Sequence, residues 1–454
     1  MPALRLNRGP GSSEPLRNPR NVFPLIDEPR LQSEPREGVP DVIDTLPAFR
    51  DYCDLLAAGT GSLAADAERA SGYRYGHEDW LVQFKRTGAG IGLLDPQALA
   101  QAGADWNDFN RAVGDATWIL HDSLQDLPGF ADLGMEPHHL FDTEIAARLL
   151  GMHRFGLAAV TEHFLGLTLA KEHSAADWSY RPLPRDWRNY AALDVELLIE
   201  LEQRMRTELK RQGKRDWAEE EFAYELHEGM GPRKEHPVPW LRISRITEIA
   251  KDRQALAVAK ALWEKRDELA RRFDIAPALL LSDFSIIEAA KRKPHNAAQF
   301  RAIRSINERV RIQSDAAQEK MFEQYAPIQR KVKQSLWKSV IQQALDMPRS
   351  EWPTMPSSQP NNDESQTHAP RSIRYWKDRY PERLRTLEKA RKVVQQIAVD
   401  TRTPAEIIIK PQYLRNLCWT DEPQKRDVAG FLKEQGARDW QVSLIAESVS
   451  RAIM

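Results

Sequence analysis

The spacing of hydrophobic positions changes character near residue 230. Before that point, apolar runs of strand length near residues 62–68, 80–85, 90–94, 116–121 and 138–142 alternate with stretches of helical period. This alternation predicts an α/β unit over residues 41–230, a mixed sheet flanked by helices. Residues 1–40 are rich in Pro, Arg, Ser and Glu without any period, which predicts a disordered N-terminal extension. A charged helical stretch, Glu202 to Glu228, leads into a linker at 231–239 that contains Gly231, Pro232, Pro237 and Pro239.

Beyond the linker every pattern is helical. Residues 240–310 contain Ala261 to Ala270, then Pro277 to Leu281 and Ile286 to Ala290. The same order returns in 376–454 as Leu387 to Ala398, Pro404 to Ile409 and Leu414 to Trp419, so the second half holds two copies of one all-α module. Between them, 311–375 predicts a helical connector followed by a flexible loop, Pro-, Ser- and Asn-rich from Met347 to Ala369.

Three clusters carry candidate chemistry. Asp66 and Glu68 stand at i and i+2 on the first long strand and share one face of it. Asp126 follows the run that ends at His121 and lies where that strand turns into a helix. Tyr190 and Asp194 are one turn apart on a helix whose apolar stripe is Leu193, Leu197, Leu198 and Leu201. Intervals of 60 and 68 residues separate Asp66, Asp126 and Asp194, leaving room for intervening elements to bring all three to one pocket. Two Mg2+ or Mn2+ ions roughly 4 Å apart stabilise the attacking and leaving oxygens of a phosphoryl displacement, and holding them takes several carboxylates. A tyrosine hydroxyl beside such a carboxylate can orient the attacking water, but with a pKa near ~10 it is a poor base. Each cluster alone is common by chance. Their order and placement carry the signal. His121 reads as a strand-end hydrogen-bonding residue.

In these motifs the chain resembles ribonuclease D, of the DEDD 3′–5′ exonuclease superfamily in its tyrosine-containing subclass. The resemblance implies that Asp66, Glu68, Asp126 and Asp194 ligate two divalent metals (Mg2+ or Mn2+) and that Tyr190 positions the water. The other subclass has a His five residues before the last Asp, where this chain has Asn189. Leu81-Val-Gln-Phe84 is similar to the second strand of such domains, and Asp177 to Leu183 to the segment before their third motif. The resemblance implies a ribonuclease-H-like exonuclease domain followed by two HRDC-like helical domains. One departure is Arg69 to Trp80, which lacks the aromatic-apolar-Arg continuation expected after Glu68.

Asp142-Thr-Glu144 is a closer literal match to the first motif, with His173 and Asp177 as a possible second. Asp177 precedes Asp194 by only 17 residues, too few for the elements that should separate those motifs. Asp142 and Glu144 are therefore expected at a strand end and helix start.

Composition adds a division of charge. Residues 1–230 carry 24 Lys+Arg against 38 Asp+Glu, and residues 231–454 carry 41 against 28, so net charges of −14 and +13 sit in the two halves. The acidic half suits metal binding and the basic half suits a polyanion. Candidate phosphate contacts are Lys291, Arg292 and Lys293 in the first module and Arg385, Lys389, Arg391 and Lys392 in the second. Trp240, Trp263 and Trp419 are read as core rather than as base-stacking residues. Cys53 and Cys418 fall in different domains, which argues against a disulfide framework. Residues 1–24 lack the apolar core of a signal peptide, and no run approaches membrane-spanning length. The chain is expected to act as a cytoplasmic monomer away from membranes.

The expected function is a 3′–5′ exoribonuclease that trims RNA with a single-stranded 3′ end, such as tRNA precursors, releasing nucleoside 5′-monophosphates. The preference for RNA is an implication of the resemblance. A DNA 3′–5′ exonuclease and a catalytically decayed nucleic-acid-binding scaffold are the alternatives.

Overall fold

A computed structural model describes residues 29–169, 175–233, 236–308, 310, 323–355 and 369–454. Its first half is built on a six-stranded mixed sheet of order β2-β5-β4-β3-β6-β7. The strands are β2 (Val42–Ile43), β3 (Thr60–Arg69), β4 (Asp79–Thr87), β5 (Gly90–Leu94), β6 (Thr117–Leu120) and β7 (His139–Asp142). The β3–β4 and β4–β5 pairs are antiparallel, and β2–β5, β3–β6 and β6–β7 are parallel. The inner strand β6 buries Trp118, Ile119 and Leu120 in succession, as a parallel strand covered on both faces must. Phe84, Phe109, Trp118 and Phe130 form a ring cluster in this core, with centroids 4.7 Å apart for Phe84–Phe109 and 5.4 Å for Trp118–Phe130. Among the described residues no helix is long and apolar enough to cross a membrane.

Two expectations are corrected. Residues 1–28 lie outside the described residues, but residues 30–40 are not structureless: β1 (Arg30–Gln32) pairs in parallel with β8 (Leu167–Leu169). The segment then clasps the helix Arg185–Glu196, with Asn189 Nδ2 donating to the Ser33 carbonyl at 2.8 Å and Arg188 donating to the Pro40 carbonyl at 2.9 Å. These polar anchors leave no hydrophobic period to read. The second correction concerns the connector. Its helix Gln334–Leu345 buries Trp337, Ile341 and Ala344 in the core of the first module, covering an apolar side of the long helix Arg253–Phe273. Most of the Pro/Ser-rich loop falls outside the described residues.

The internal repeat is visible as geometry. In the first module a 21-residue helix, Arg253–Phe273, is followed by Pro277–Leu280 and Asp283–Arg292. In the second, a 21-residue helix, Pro381–Thr401, is followed by Ala405–Ile408 and Pro411–Trp419. Each long helix is closed by a non-glycine residue in the left-handed region, Asp274 at φ 48° and Arg402 at φ 52°.

Both modules dock on the α/β unit through these corners. Asp274 accepts from Arg74 Nε at 2.9 Å and from the Tyr75 amide at 3.2 Å, and the Ala276 amide donates to the Tyr73 carbonyl at 2.8 Å. Tyr73 is buried in the module's own core. The departure from the family pattern after Glu68 is thus the docking strip of the first module. The buried Asp177 adds a latch, accepting from Tyr325 Oη at 2.6 Å and Gln324 Nε2 at 2.7 Å. At the other corner Lys214 Nζ donates to the Leu149 carbonyl at 2.6 Å and to the Arg402 carbonyl at 3.4 Å. Beside it Trp440 stacks on Trp217 at 4.7 Å, and Glu221 accepts from Trp440 Nε1 at 2.8 Å and from Arg438 at 2.8 and 2.6 Å.

Candidate active site

Asp66 and Glu68 project from the central strand β3, where Ala64, Ala65 and Ala67 keep the backbone closely packed. Gln83, opposite Asp66 on β4, donates to its Oδ2 at 2.5 Å. Asp194 comes from the helix Arg185–Glu196, which is tied to the sheet by Lys85: its Nζ donates to the Glu196 carbonyl at 2.9 Å and carboxylate at 2.8 Å. Oxygens of Asp66, Glu68 and Asp194 all lie within 4.8 Å of one another. Tyr190, one turn earlier, hydrogen-bonds the Asp194 carboxylate.

Asp126 stands at the edge of this group, on the turn before the helix Leu127–Asp132. It hydrogen-bonds Asp66, and it is ion-paired to Arg69, whose Nε also lies 3.2 Å from the buried Asp79. The structure therefore brings three of the four expected carboxylates and the tyrosine into one cluster and sets the fourth against an arginine.

Crowding and burial dominate the electrostatics. Burial pushes the Asp66 carboxyl up to about 6, opposed by hydrogen bonds from Gln83 and the Ala67 amide. Glu68 is held well above the ordinary carboxylate range by burial and then by repulsion from Asp66, Asp194 and Asp126. Asp194 is raised by burial and by Asp66, and Asp126 by burial and by Asp66. The Tyr190 phenol is raised above its usual value by burial and by the charges of Asp194, Glu68 and Asp66. Three hard carboxylates this close have no neutralising cation among themselves, so the set fits a divalent metal.

The Asp142-Thr-Glu144 motif has a structural role. Asp142 is fully buried, caps the helix Thr143–Leu149 by accepting from the Glu144 and Ile145 amides at 2.7 and 3.1 Å, and accepts from the Ser123 amide at 2.6 Å. Glu144 pairs with Arg148 at 2.6 Å. His121 Nδ1 lies 2.8 Å from Thr143 Oγ1, the hydrogen-bonding role expected of it. Asn189 faces the N-terminal segment rather than the acidic cluster.

The basic residues fare differently. Lys291 pairs with Glu248, Arg292 with Glu288 at 3.0 Å, Lys293 with Asp252 at 2.6 Å and Arg385 with Glu382. Acids on the same or a facing element thus already engage these four candidate phosphate contacts. Lys389, Arg391 and Lys392 have no ion-pair partner among the described residues, and Arg391 and Arg371 each lie near Arg415, whose guanidinium is lowered first by burial and then by these two charges. Trp240 and Trp419 are buried and Trp263 is half-buried against its module's core. Sequence reading missed Gln83, Arg69 and Asp79. A lone Gln in the apolar run Leu81 to Phe84 was the available signal for the first; the other two had none.

Residues 40–210 match the model of a 3′–5′ exonuclease family, residues 255–314 the HRDC domain and residues 369–453 a 3′ to 5′ exonuclease C-terminal domain. A protein from Bifidobacterium adolescentis of known crystal structure is 77% identical, with a TM-score of 0.87 over 94% of this chain and 100% of that one. Escherichia coli RNase D, described as an exoribonuclease involved in structured RNA processing, shares the fold at 20% identity and a TM-score of 0.57 over 91% of this chain and 98% of its own. The ribonuclease D of Shewanella sp. (strain ANA-3) is 30% identical over 49% of this chain, an alignment that spans 56% of that relative. That of Acidiphilium cryptum (strain JF-5) is 31% identical over 61% of this chain and 69% of its own length. An exonuclease domain with its acidic cluster, an HRDC domain and this last alignment establish that the chain belongs to the ribonuclease D family.

Proposed function

We propose that this chain is a cytoplasmic, monomeric 3′–5′ exoribonuclease that trims single-stranded 3′ ends of structured RNA, tRNA precursors among them. The observation that carries this reading is the convergence of Asp66, Glu68 and Asp194 within 4.8 Å, with Tyr190 bonded to Asp194. Asp66, Glu68, Asp194 and Asp126 would hold two divalent ions, Mg2+ or Mn2+. When bound, such ions stabilise charge on the attacking and leaving oxygens of an in-line displacement. Tyr190 acts by orientation: its hydroxyl, too weakly acidic to serve as base, donates to Asp194 and leaves its lone pairs to align the attacking water. Water attacks the terminal phosphorus and the P–O3′ bond breaks, so the released nucleotide carries the 5′-phosphate and the shortened RNA keeps a 3′-hydroxyl. Lys389, Arg391 and Lys392 supply phosphate contacts that position RNA without reading sequence.

Gel analysis of RNA and DNA oligonucleotides labelled at either end, with Mg2+, Mn2+ or EDTA, tests the proposal. Metal-dependent stepwise loss from the 3′ end of RNA is expected. Faster cleavage of DNA would reassign the substrate, and the absence of cleavage with either metal would overturn the reading.

A further inference from the structure

We propose that Arg69 is a positioning residue that competes with the divalent cation for Asp126, and that Asp79 is the carboxylate to which Arg69 withdraws. The proposal rests on the reading of Asp126 as a metal ligand. Neighbours on a regular strand point to opposite faces, so Arg69 should turn away from the side that carries Glu68. The register of β3 against β4 shifts between Glu68 and Arg69, and this bulge turns the arginine back toward the acidic side. Its guanidinium there contacts Asp126 and, at 3.2 Å through Nε, Asp79.

Arg69 is the larger of the two positive charges that favour an ionised Asp79; the other, Arg233, is paired to Asp132. Asp79 is 2% exposed, and neither of its oxygens makes a hydrogen bond among the described residues. It packs so closely on the turn after Asp126 that a Cβ on Gly129 would stand 2.0 Å from its Oδ2. A buried carboxylate without hydrogen bonds is costly unless a cation stays beside it. Asp79 and Asp126 thus flank one arginine, and a planar fork can serve both or be drawn to either. To help hold the ions beside Asp66, Glu68 and Asp194, the Asp126 carboxylate would have to leave Arg69, and Asp79 would keep the released guanidinium paired.

Calorimetric titration of the full chain with Mn2+ in the absence of RNA reads this directly, with circular dichroism confirming the fold. Arg69→Gln should bind Mn2+ about fivefold tighter, the yield of removing a partly exposed ion pair that competes with the metal. Asp79→Asn should bind more weakly, because Arg69 then rests on Asp126 alone. In the Arg69→Gln background Asp79→Asn should change nothing. Equal effects of Asp79→Asn in both backgrounds would mean that both residues act only as distant charges, and would overturn the proposal. So would unchanged or weaker binding by Arg69→Gln. If an unpaired Asp79 unfolds Arg69→Gln, the double variant carries the same test, since it must bind tighter than Asp79→Asn alone. Asp126→Asn separates the two possible failures: undiminished Mn2+ binding there removes Asp126 from the site, whereas weakened binding there beside unchanged binding by Arg69→Gln overturns the role of Arg69 only.

Discussion

Replacing a residue of the acidic cluster should stabilise the protein while disabling it. Asp66→Asn retains an oxygen for the Gln83 hydrogen bond and removes a charge from the most crowded part of the site. Burial lifts the Asp66 carboxyl from 3.8 to about 6. Because the folded-state value lies above the unfolded one, the folded protein binds more protons between about pH 4 and 6; this contribution is fully present below about pH 4 and is lost as pH rises through about 6. Near pH 8 ionised Asp66 therefore costs at most about 3 kcal/mol, from roughly two units at about 1.4 kcal/mol each. If half of that is recovered by asparagine, the unfolding transition of the α/β unit in EDTA at pH 8 should rise by about 4 °C, and the gain should vanish near pH 4. Differential scanning calorimetry across pH measures it, and a cleavage assay should show a loss of several hundredfold or more, on the order of several kcal/mol of barrier. A midpoint in EDTA that is lowered at pH 8, or raised equally at pH 4 and 8, would refute the electrostatic account. Cleavage within about threefold of the parent would refute the site itself.

Tyr190→Phe deletes only the hydroxyl and should lower turnover by at least about tenfold with Mn2+ affinity nearly unchanged, as single-turnover kinetics beside calorimetry would show. Asp142→Asn loses the charge-assisted acceptor for the Ser123 amide and should cost about 2 kcal/mol in denaturant titration while leaving cleavage below the melting range intact; an inactive but folded variant would revive the Asp142 motif. Wild-type protein in EDTA should lose stability from pH 5 to 8 as Asp66 and Asp79, raised to about 6 and about 7, ionise, and saturating Mn2+ should flatten that slope in thermal melts. Gly151→Ala would place a Cβ 2.4 Å from the Arg402 carbonyl at φ 85°, so limited proteolysis should release the second module faster than in the parent.

The legible parts of this molecule were those written in local periodicity. Asp66 and Glu68 could be read because two acids interrupt an apolar strand, and Tyr190 with Asp194 because a helical stripe fixes their common face. The repeat was readable because both copies keep the same order of short and long apolar segments. What escaped depends on distant partners. Nothing near Arg69 in the chain announces Asp126, since a turn 57 residues away creates that contact, and Asp79 comes opposite Arg69 only because of the register shift at the bulge. The pairing of Lys291 with Glu248 spans 43 residues, so nothing local to that basic run announces its acidic partner. Residues 30–40 carry backbone and side-chain anchors to Asn189, Arg188 and Glu200 in place of an apolar pattern, and low hydrophobicity there was mistaken for disorder.

The corners at Asp274 and Arg402 bear on how such a chain could have grown. Each is the point where a long helix stops in a left-handed residue, and each is also the point of attachment to the α/β unit. A helix cap exposes backbone groups that require partners wherever the module is placed, so a copied module arrives with its own adhesive edge. The receiving surface then needs little more than a donor or a carbonyl in reach, as Lys214 provides for the Arg402 carbonyl and Tyr73 for the Ala276 amide. Duplication would in this way extend the chain with a corner already able to bind, and in the second copy Trp440 against Trp217 and Arg438 against Glu221 widen that attachment.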